Sequence, residues 1–369
     1  MWLFLYNYYS VSKIVLKIDH NKFSLPIITT VGVKQGGIIS PDVFNININE
    51  LLIMLETLGE PYTIEEIKVG TVVYADDTNT AAENVEAMEK NLKIIDEYCD
   101  EYDIEINTSK TKWMCLGEKI KQNESEDNIL NKLKKLIEPK FYLKSQEIEK
   151  VSSFKFLGYE LTSDNTNEKH IQKRKSIAMT GFTNLRDLGI EENILPIKMK
   201  ALLYNAFFRS KLNYGLECTK LNNKEQKSIK TFEDNNIKRM LNLSTHSKSR
   251  YVNYAIQIIP SKICHIKRKL KFLLQLIDNK ITSQIVRSGK SSVSNEILLY
   301  IGYKKNSLNE EEQIQQIKQL VCRQIKRIVA LNNLMLEHPL TIATKYLLEH
   351  QSLENDDILQ FLLEPGVIK

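Results

Sequence analysis

An α+β architecture, with short strands and paired helices over the first 162 residues and helices alone thereafter, follows from three observations. Brief β-prone runs broken by turn residues recur from Ile14 to Leu161 and then stop. Apolar residues spaced three or four apart take over after Asn167 and also mark two helices earlier in the chain. The 369 residues are 42% hydrophobic and 26% charged, a globular balance for two or three domains.

In chain order, Ile14–Ile18 and Phe23–Ile28 read as strands around the polar turn Asp19-His20-Asn21-Lys22. Gly32-Val33-Lys34-Gln35-Gly36-Gly37 then leads into a helix. Ser40 suits its N-cap, Pro41 its first position and Asp42 its dipole, with an apolar stripe at Phe44, Ile48, Leu51, Leu52 and Leu55 and a stop near Gly59. Lys34 and the Gln35-Gly36-Gly37 backbone are left on a mobile loop, where amides and an ammonium can meet a phosphate; a glycine pair before a helix also serves as a plain connector. Val69, Thr71, Val72, Val73 and Tyr74 form a β-prone run, and Thr78–Ala82 a second, so the aspartates between them mark a hairpin turn.

Val85, Met88, Leu92, Ile95, Tyr98 and Tyr102 predict an amphipathic helix of about five turns. Strands are expected at Ile104–Asn107 and Trp113–Leu116 around the turn Thr108–Thr111. Lys119–Lys140 is polar and reads as a loop with a short helix. Val151–Leu161 alternates as a strand bent at Gly158. Beyond Asn167 the pattern is helical to about Asp278, through Ile177, Phe182 and Leu185, then Ile197, Ala201, Leu202, Tyr204, Asn205 and Phe208; Pro196 and Pro260 mark helix starts or breaks. Ser291–Lys369 continues as helix with polar joints.

Tyr74-Ala75-Asp76-Asp77 carries the chemistry. Adjacent carboxylates repel unless a cation joins them, and hard oxygens at a strand turn suit Mg²⁺, which takes one or two protein carboxylates and leaves room for phosphates. A solvated turn would carry the same pair. The five cysteines show no CxxC spacing, so reduced thiols are expected, and Cys264-His265 reads as helix packing. With no secretory signal and no long apolar stretch, the chain is expected to be intracellular, cytoplasmic or nuclear, away from membranes.

The net charge of +5 is uneven: Glu50–Glu105 holds 16 acidic and 3 basic residues, leaving 48 basic and 30 acidic elsewhere. Basic rows fall at Lys169, Lys173, Arg174 and Lys175, at Lys224, Lys227, Lys230, Lys238 and Arg239, and at Lys262, Lys267, Arg268, Lys269 and Lys271. They fit a phosphate backbone or an ordinary solvated helix face.

In this order and spacing, the segments from Ile14 to about residue 280 resemble the reverse transcriptases of non-LTR (LINE-like) retrotransposons. Lys34–Asn45 is similar to the family's motif B, Tyr74–Asp77 to its metal-binding motif C, Asn107 with Lys110-Thr111 to motif D, and Phe154–Gly158 to motif E, the primer grip. Leu212–Glu217 resembles the Tyr-Gly-x-Glu stretch of these elements. The resemblance implies a partial polymerase palm over 1–117, a polar insert over 118–140, a primer-grip hairpin over 141–162, a helical thumb and connection over 163–280, and a C-terminal helical region over 281–369.

It implies, further, an RNA template, a DNA primer and deoxynucleoside triphosphates as partners, and Mg²⁺ (or Mn²⁺) held by Asp76 and Asp77 for a two-metal nucleotidyl transfer. Lys34, Gln35, Gly36 and Tyr74 would bind substrate. Lys110 would face the leaving pyrophosphate. Phe154, Phe156, Leu157 and Gly158 would hold the primer.

One departure stands out. The family's motif A carboxylate precedes motif B, and only Asp19, in a polar turn, stands there. The fingers and motif A are expected to be missing, with Met1 inside the helix that follows motif A. The two-metal site would then be incomplete, the sheet edge beside Val72–Ala75 unpaired, and polymerase activity slight. Two other readings remain: a group II intron-type reverse transcriptase, and a non-catalytic nucleic-acid-binding relic.

Overall fold

The computed structural model describes residues 2–10, 12–20, 22–29, 32–34, 36–117, 138–192, 195–305 and 308–349. Its residues divide into two units, Met1–Thr111 with Asp127–Glu149, and Lys112–Glu126 with Lys150–Lys369. Strands and helices mix in the first and helices dominate the second, the α+β composition the sequence predicts.

The first unit opens with α1 (Trp2–Ser10) and a long hairpin made in two pieces. β1 (Lys13–Ile14) pairs with β4 (Ile27–Ile28), and β2 (Lys17–Asp19) with β3 (Lys22–Phe23), with a register shift between Lys17 and Asp19. Pro26 lacks an N–H and interrupts the ladder beside the outer pair.

Two helices make the unit's core. α2 (Ser40–Thr57) presents Leu51 and Leu55, and α3 (Val85–Glu101) presents Ile94, Tyr98 and Cys99. Asn84 caps α3, its side chain accepting from the Ala87 amide at 2.8 Å. Tyr98 is wholly buried because its hydroxyl has a partner, the Asn47 carbonyl at 2.6 Å. One turn on, the Tyr102 hydroxyl donates to Glu50 at 2.6 Å, and that bond pushes its pKa up to about 12.

Two strand expectations are corrected here. Residues 104–107 are irregular, because Ile104 and Ile106 bury their side chains against the α2–α3 core instead of joining a ladder. Of Trp113–Leu116 only the first residue is strand, in β9 (Lys112–Trp113). Two hairpins lie between α2 and α3 in the chain, β5 (Thr63–Ile64) with β6 (Ile67–Lys68), and β7 (Thr71–Tyr74) with β8 (Asp77–Thr80). β10 (Phe141–Leu143) pairs with β11 (Gln146–Lys150) and packs on α3, where the Lys144 amide donates to the Asp96 carboxylate at 3.1 Å. The polar insert lies outside the described residues from 118 to 137.

In the second unit, β12 (Ser153–Phe156) and β13 (Tyr159–Thr162) precede helices α4 (Glu168–Asp187), α5 (Ile197–Leu203), α6 (Asn223–Met240) and α7 (Ser249–Ala255). Pro196 is the N-cap of α5, and the helix continues without a break through a π-helical segment, Tyr204–Arg209, into Ser210–Leu212. The π turn brings Tyr204, Phe208 and Arg209 onto one buried side. Tyr204 stacks on Phe208 at 4.7 Å, Phe208 meets Phe182 edge-on at 5.8 Å, and Arg209 reaches the buried Glu233 at 2.7 Å. Ile229, Ile237 and Met240 of α6 complete this core.

A further core joins α8 (Ser261–Asp278), capped by Pro260, to α9 (Lys280–Ser288), α10 (Ser292–Ile301) and α11 (Glu310–Leu336) through Leu270, Leu273, Val286, Ile297, Ile317 and Val321. α12 (Pro339–Glu349) follows. No described helix is long and apolar enough to cross a membrane.

Candidate active site

The β7–β8 register pairs Tyr74 with Asp77, so the turn is only Ala75-Asp76. The expectation of both aspartates in the turn is therefore corrected: Asp76 lies in it and Asp77 opens the return strand. Ala75 sits at φ +52°, a left-handed conformation that costs an L-residue about 1–2 kcal/mol. Ala75→Gly is expected to raise stability by up to about 1 kcal/mol, the relief being partly offset by glycine's extra unfolded freedom; urea unfolding of the two proteins side by side measures it.

Among the described residues β7 and β8 pair with no other strand. Their far end is tied instead to the β5–β6 hairpin: Tyr62 donates to the Ala81 carbonyl at 3.0 Å and Ala81 to the Gly70 carbonyl at 2.6 Å. Thr71 and Val73 are half-buried, while Val72 and Tyr74 are exposed at 51% and 63%, so one face of the hairpin is bare.

Asp76 and Asp77 are exposed, and among the described residues neither side chain has a hydrogen bond or an ion pair. Two adjacent hard carboxylates, one in an open turn and one opening the return strand, are a donor set that fits one Mg²⁺, which retains several waters. Two ions bridged by shared carboxylates need more. No group of three His, Cys, Asp or Glu side chains comes together among the described residues, so the fit extends to one ion and not to two.

The loop before α2 is built differently from expectation. Ser40 is the first helical residue and Ile39 the N-cap, without a side-chain cap bond. The Ser40 hydroxyl turns back instead and donates to the Lys34 carbonyl at 2.6 Å. This closes the loop and explains the glycine pair. Gly36 sits at φ +79°, and a Cβ on Gly37 would lie 2.6 Å from the Ser40 hydroxyl oxygen. The Lys34 ammonium, expected on a mobile loop, donates to the Tyr8 carbonyl at 2.9 Å and lies 3.7 Å from the Tyr8 ring centre. Gln35 falls outside the described residues.

Lys110 lies in a turn set by Asn107, whose side-chain oxygen accepts from the Lys110 amide at 3.1 Å and the Ser109 hydroxyl at 2.6 Å. Its ammonium is exposed and has no partner among the described residues. No hydrogen bond, ion pair or ring contact there joins Asp76 or Asp77 to Lys34 or Lys110.

The bend at Gly158 is a complete hairpin turn. Phe156 pairs with Tyr159, and Leu157 and Gly158 between them have φ +47° and +80°, the sign pattern of a type I′ turn. Phe154 and Phe156 are half-buried and Leu157 is 39% exposed.

What holds that turn was only partly foreseen. The Tyr214 hydroxyl donates to the Leu157 carbonyl at 2.7 Å, and the Arg174 guanidinium lies 5.0 Å from the Tyr214 ring centre and 3.4 Å from the Gly158 carbonyl. His170 stacks on Tyr159 at 4.1 Å and contacts the Tyr214 carbonyl through Nε2 at 3.0 Å. Its Nδ1 accepts from the Glu160 amide, which requires the neutral ring with the proton on Nε2; burial lowers its pKa in the same direction. A Cβ on Gly215, at φ +77°, would press on Tyr159 at 3.0 Å and His170 at 3.1 Å.

The rest of Leu212–Glu217 is equally engaged. Asn213 accepts from His265 Nε2 at 2.9 Å and donates to Cys264 Sγ at 3.7 Å, so Cys264-His265 is packing, as expected. Burial depresses the His265 pKa to about 4 and keeps the ring neutral. Glu217 binds Arg268 through both carboxylate oxygens at 3.0 Å. His170 and Arg174, four residues apart on α4, escaped sequence reasoning as supports of the turn; their signal was spacing on one helix face.

The basic rows are partly consumed inside the fold. Arg174 is buried, Lys238 donates to the Thr245 carbonyl at 2.6 Å, and Arg239 and Lys269 pair with Glu191 at 2.8 Å and Glu296 at 2.7 Å. Lys173, Lys224, Lys227, Lys262, Lys267 and Lys271 have no partner among the described residues.

No curated protein matches the chain. Over residues 4–161, the stretch that holds the Tyr74–Asp77 hairpin, the glycine loop, Lys110 and the 154–158 hairpin, the chain matches the family of reverse transcriptases (RNA-dependent DNA polymerases).

Proposed function

We propose that this chain contains part of an RNA-directed DNA polymerase of the non-LTR retrotransposon type. The observation that carries the reading is the open Tyr74–Asp77 hairpin, with two uncompensated carboxylates at its tip, inside the segment that matches the reverse transcriptase family. Its partners would be an RNA template, a DNA primer and deoxynucleoside triphosphates. Residues 1–117 would serve as palm, and the helices after 163 as thumb and connection.

Asp76 and Asp77 would hold a Mg²⁺ ion, replaceable by Mn²⁺, which when bound offsets triphosphate charge. Tyr74 and the Gly36 amide, with Gln35, would border the incoming nucleotide. Lys34 braces the loop through Tyr8 and would act on the pocket through it. Lys110, whose ammonium has no partner among the described residues, would neutralise or protonate the leaving pyrophosphate. The 154–158 turn, fixed by Tyr214 and Arg174, would present Phe154, Phe156 and Leu157 to the primer.

Among the described residues no third acid joins Asp76 and Asp77, adjacent on one hairpin, and that pair would hold one ion, so the 369-residue chain is expected to make no more templated product than its own Asp76→Asn variant. A primer-extension assay on an RNA template with Mg²⁺ checks this, and templated product above that blank would contradict it. The same shortage of acids, together with the unpartnered lysines, favours a second reading in which the chain binds nucleic acid without catalysis. Salt-insensitive affinity for RNA–DNA duplex would count against both.

A further inference from the structure

α11 turns Ile317, Val321 and Ile328 into the core of the C-terminal helices. Its far side is bare. Arg323, Arg327, Leu331 and Leu334 follow one another at steps of three or four residues, so they share one outward face. All four are exposed, Leu331 at 53% and Leu334 at 64%.

Neither arginine has a hydrogen bond or an ion pair among the described residues. Their own helix offers no acid either, since Gln313 to Met335 contains no Asp or Glu. The face is therefore basic along its first half and apolar along its second. A segment that fits it carries acids first and apolar side chains one turn later.

The chain's own sequence supplies such a segment just after α12. Residues 350–369 lie outside the described ones. Their sequence sets Glu354 and Asp357 ahead of Phe361 and Leu362, with no Lys or Arg anywhere from Tyr346 to Ile368. Asp357 to Phe361 is the same four-residue step as Arg327 to Leu331. Glu354 stands one turn before Asp357, as Arg323 stands one turn before Arg327. Laid along α11 in the same direction, a helix of this sequence meets arginines with acids and leucines with apolar groups.

The tether is short. α12 follows α11 through Glu337-His338 and touches it. Residues 350–353, ahead of Glu354, span up to about 14 Å when extended. A segment tied this closely is present at an effective concentration on the order of millimolar, which favours it over a free partner. A second α11 laid on the first would bring leucines but no acid, leaving the arginines unanswered.

We infer that residues 354–363 dock on the Arg323–Leu334 face of α11 within the same chain, Glu354 and Asp357 on the arginines and Phe361 and Leu362 on the leucines. The surface lies outside residues 4–161 and owes nothing to the polymerase reading.

Hydrogen–deuterium exchange of the full chain, read by mass spectrometry beside a synthetic peptide of residues 350–369, tests the assignment. Amides of 356–364 are expected to exchange at least about tenfold more slowly in the chain than in the peptide. Arg323→Glu with Arg327→Glu should bring them to the peptide's rate. Adding Glu354→Arg with Asp357→Arg should restore the protection, because the charges again oppose one another. Leu331→Ser with Leu334→Ser should also remove it. The altered α11 positions are all exposed, so unchanged exchange around Ile317 and Val321 reports an intact fold.

Peptide-like exchange of 356–364 in the wild type would overturn the assignment. So would protection that survives the arginine reversal, or a loss that the compensating pair leaves unrepaired. Protection that grows with protein concentration between about 1 and 50 µM would place a neighbouring copy's segment on the face and overturn docking within one chain.

Discussion

Arg209→Met is expected to destabilise the second unit by about 3–5 kcal/mol, the usual cost of stranding a buried charge. Glu233 is 1% exposed and its Oε2 is already buried without a partner, so its charge rests on the 2.7 Å bond from Arg209 to Oε1. The same guanidinium donates to the Ile259 carbonyl and, at 3.4 Å, to the Asn205 side chain, and both acceptors would be left short. Methionine fills much of the volume, so the loss reports charge more than packing. The double variant Arg209→Met, Glu233→Leu should recover most of the stability, because removing both charges also removes their desolvation penalty. Urea unfolding of the wild type, Arg209→Met, Glu233→Leu and the double variant gives the cycle. A single-variant loss below about 1 kcal/mol would mean that water reaches Glu233.

The π-helical segment explains why this pair could not be read from spacing. A regular 3.6-residue helix through Ile197–Leu212 places Tyr204 and Phe208 together, and the periodicity found them. The extra residue per turn in Tyr204–Arg209 swings Arg209 onto the buried side as well, and an arginine on an apolar face carries no advance notice of that. The same limit applies to Arg174, which lies in a run of basic residues yet is buried against Tyr214.

Elements with strong local signals were legible. The three- to four-residue repeat of Val85, Met88, Leu92, Ile95 and Tyr98 announces α3, and Pro196 and Pro260 stand where their helices begin. The 69–82 run announced a hairpin, although pairing, and not composition, decided that Asp77 leaves the turn. Residues 104–107 failed as a strand because β-prone side chains form one only where a neighbour supplies the ladder. Ser40 failed as a cap because its hydroxyl found the Lys34 carbonyl, a contact across six residues that no capping pattern contains. Leu212–Glu217 was legible as a motif, but its work, clasping the Leu157-Gly158 turn and Arg268, required the fold to bring distant segments together.

The central claim is that Asp76 and Asp77 form a cation-holding tip. Both side chains are solvent-exposed and lack cationic partners, so nothing in the described protein offsets their mutual repulsion. Replacing either by asparagine preserves shape, leaves the hairpin ladder intact and removes one of the two charges proposed to attract the metal. The direct measurement is Mn²⁺ titration of the wild-type chain and of Asp76→Asn and Asp77→Asn, with free Mn²⁺ followed by electron paramagnetic resonance. The account predicts a binding component in the wild type that weakens by about tenfold or more in each variant, equivalent to about 1.4 kcal/mol or more. Identical Mn²⁺ curves for all three proteins would contradict it.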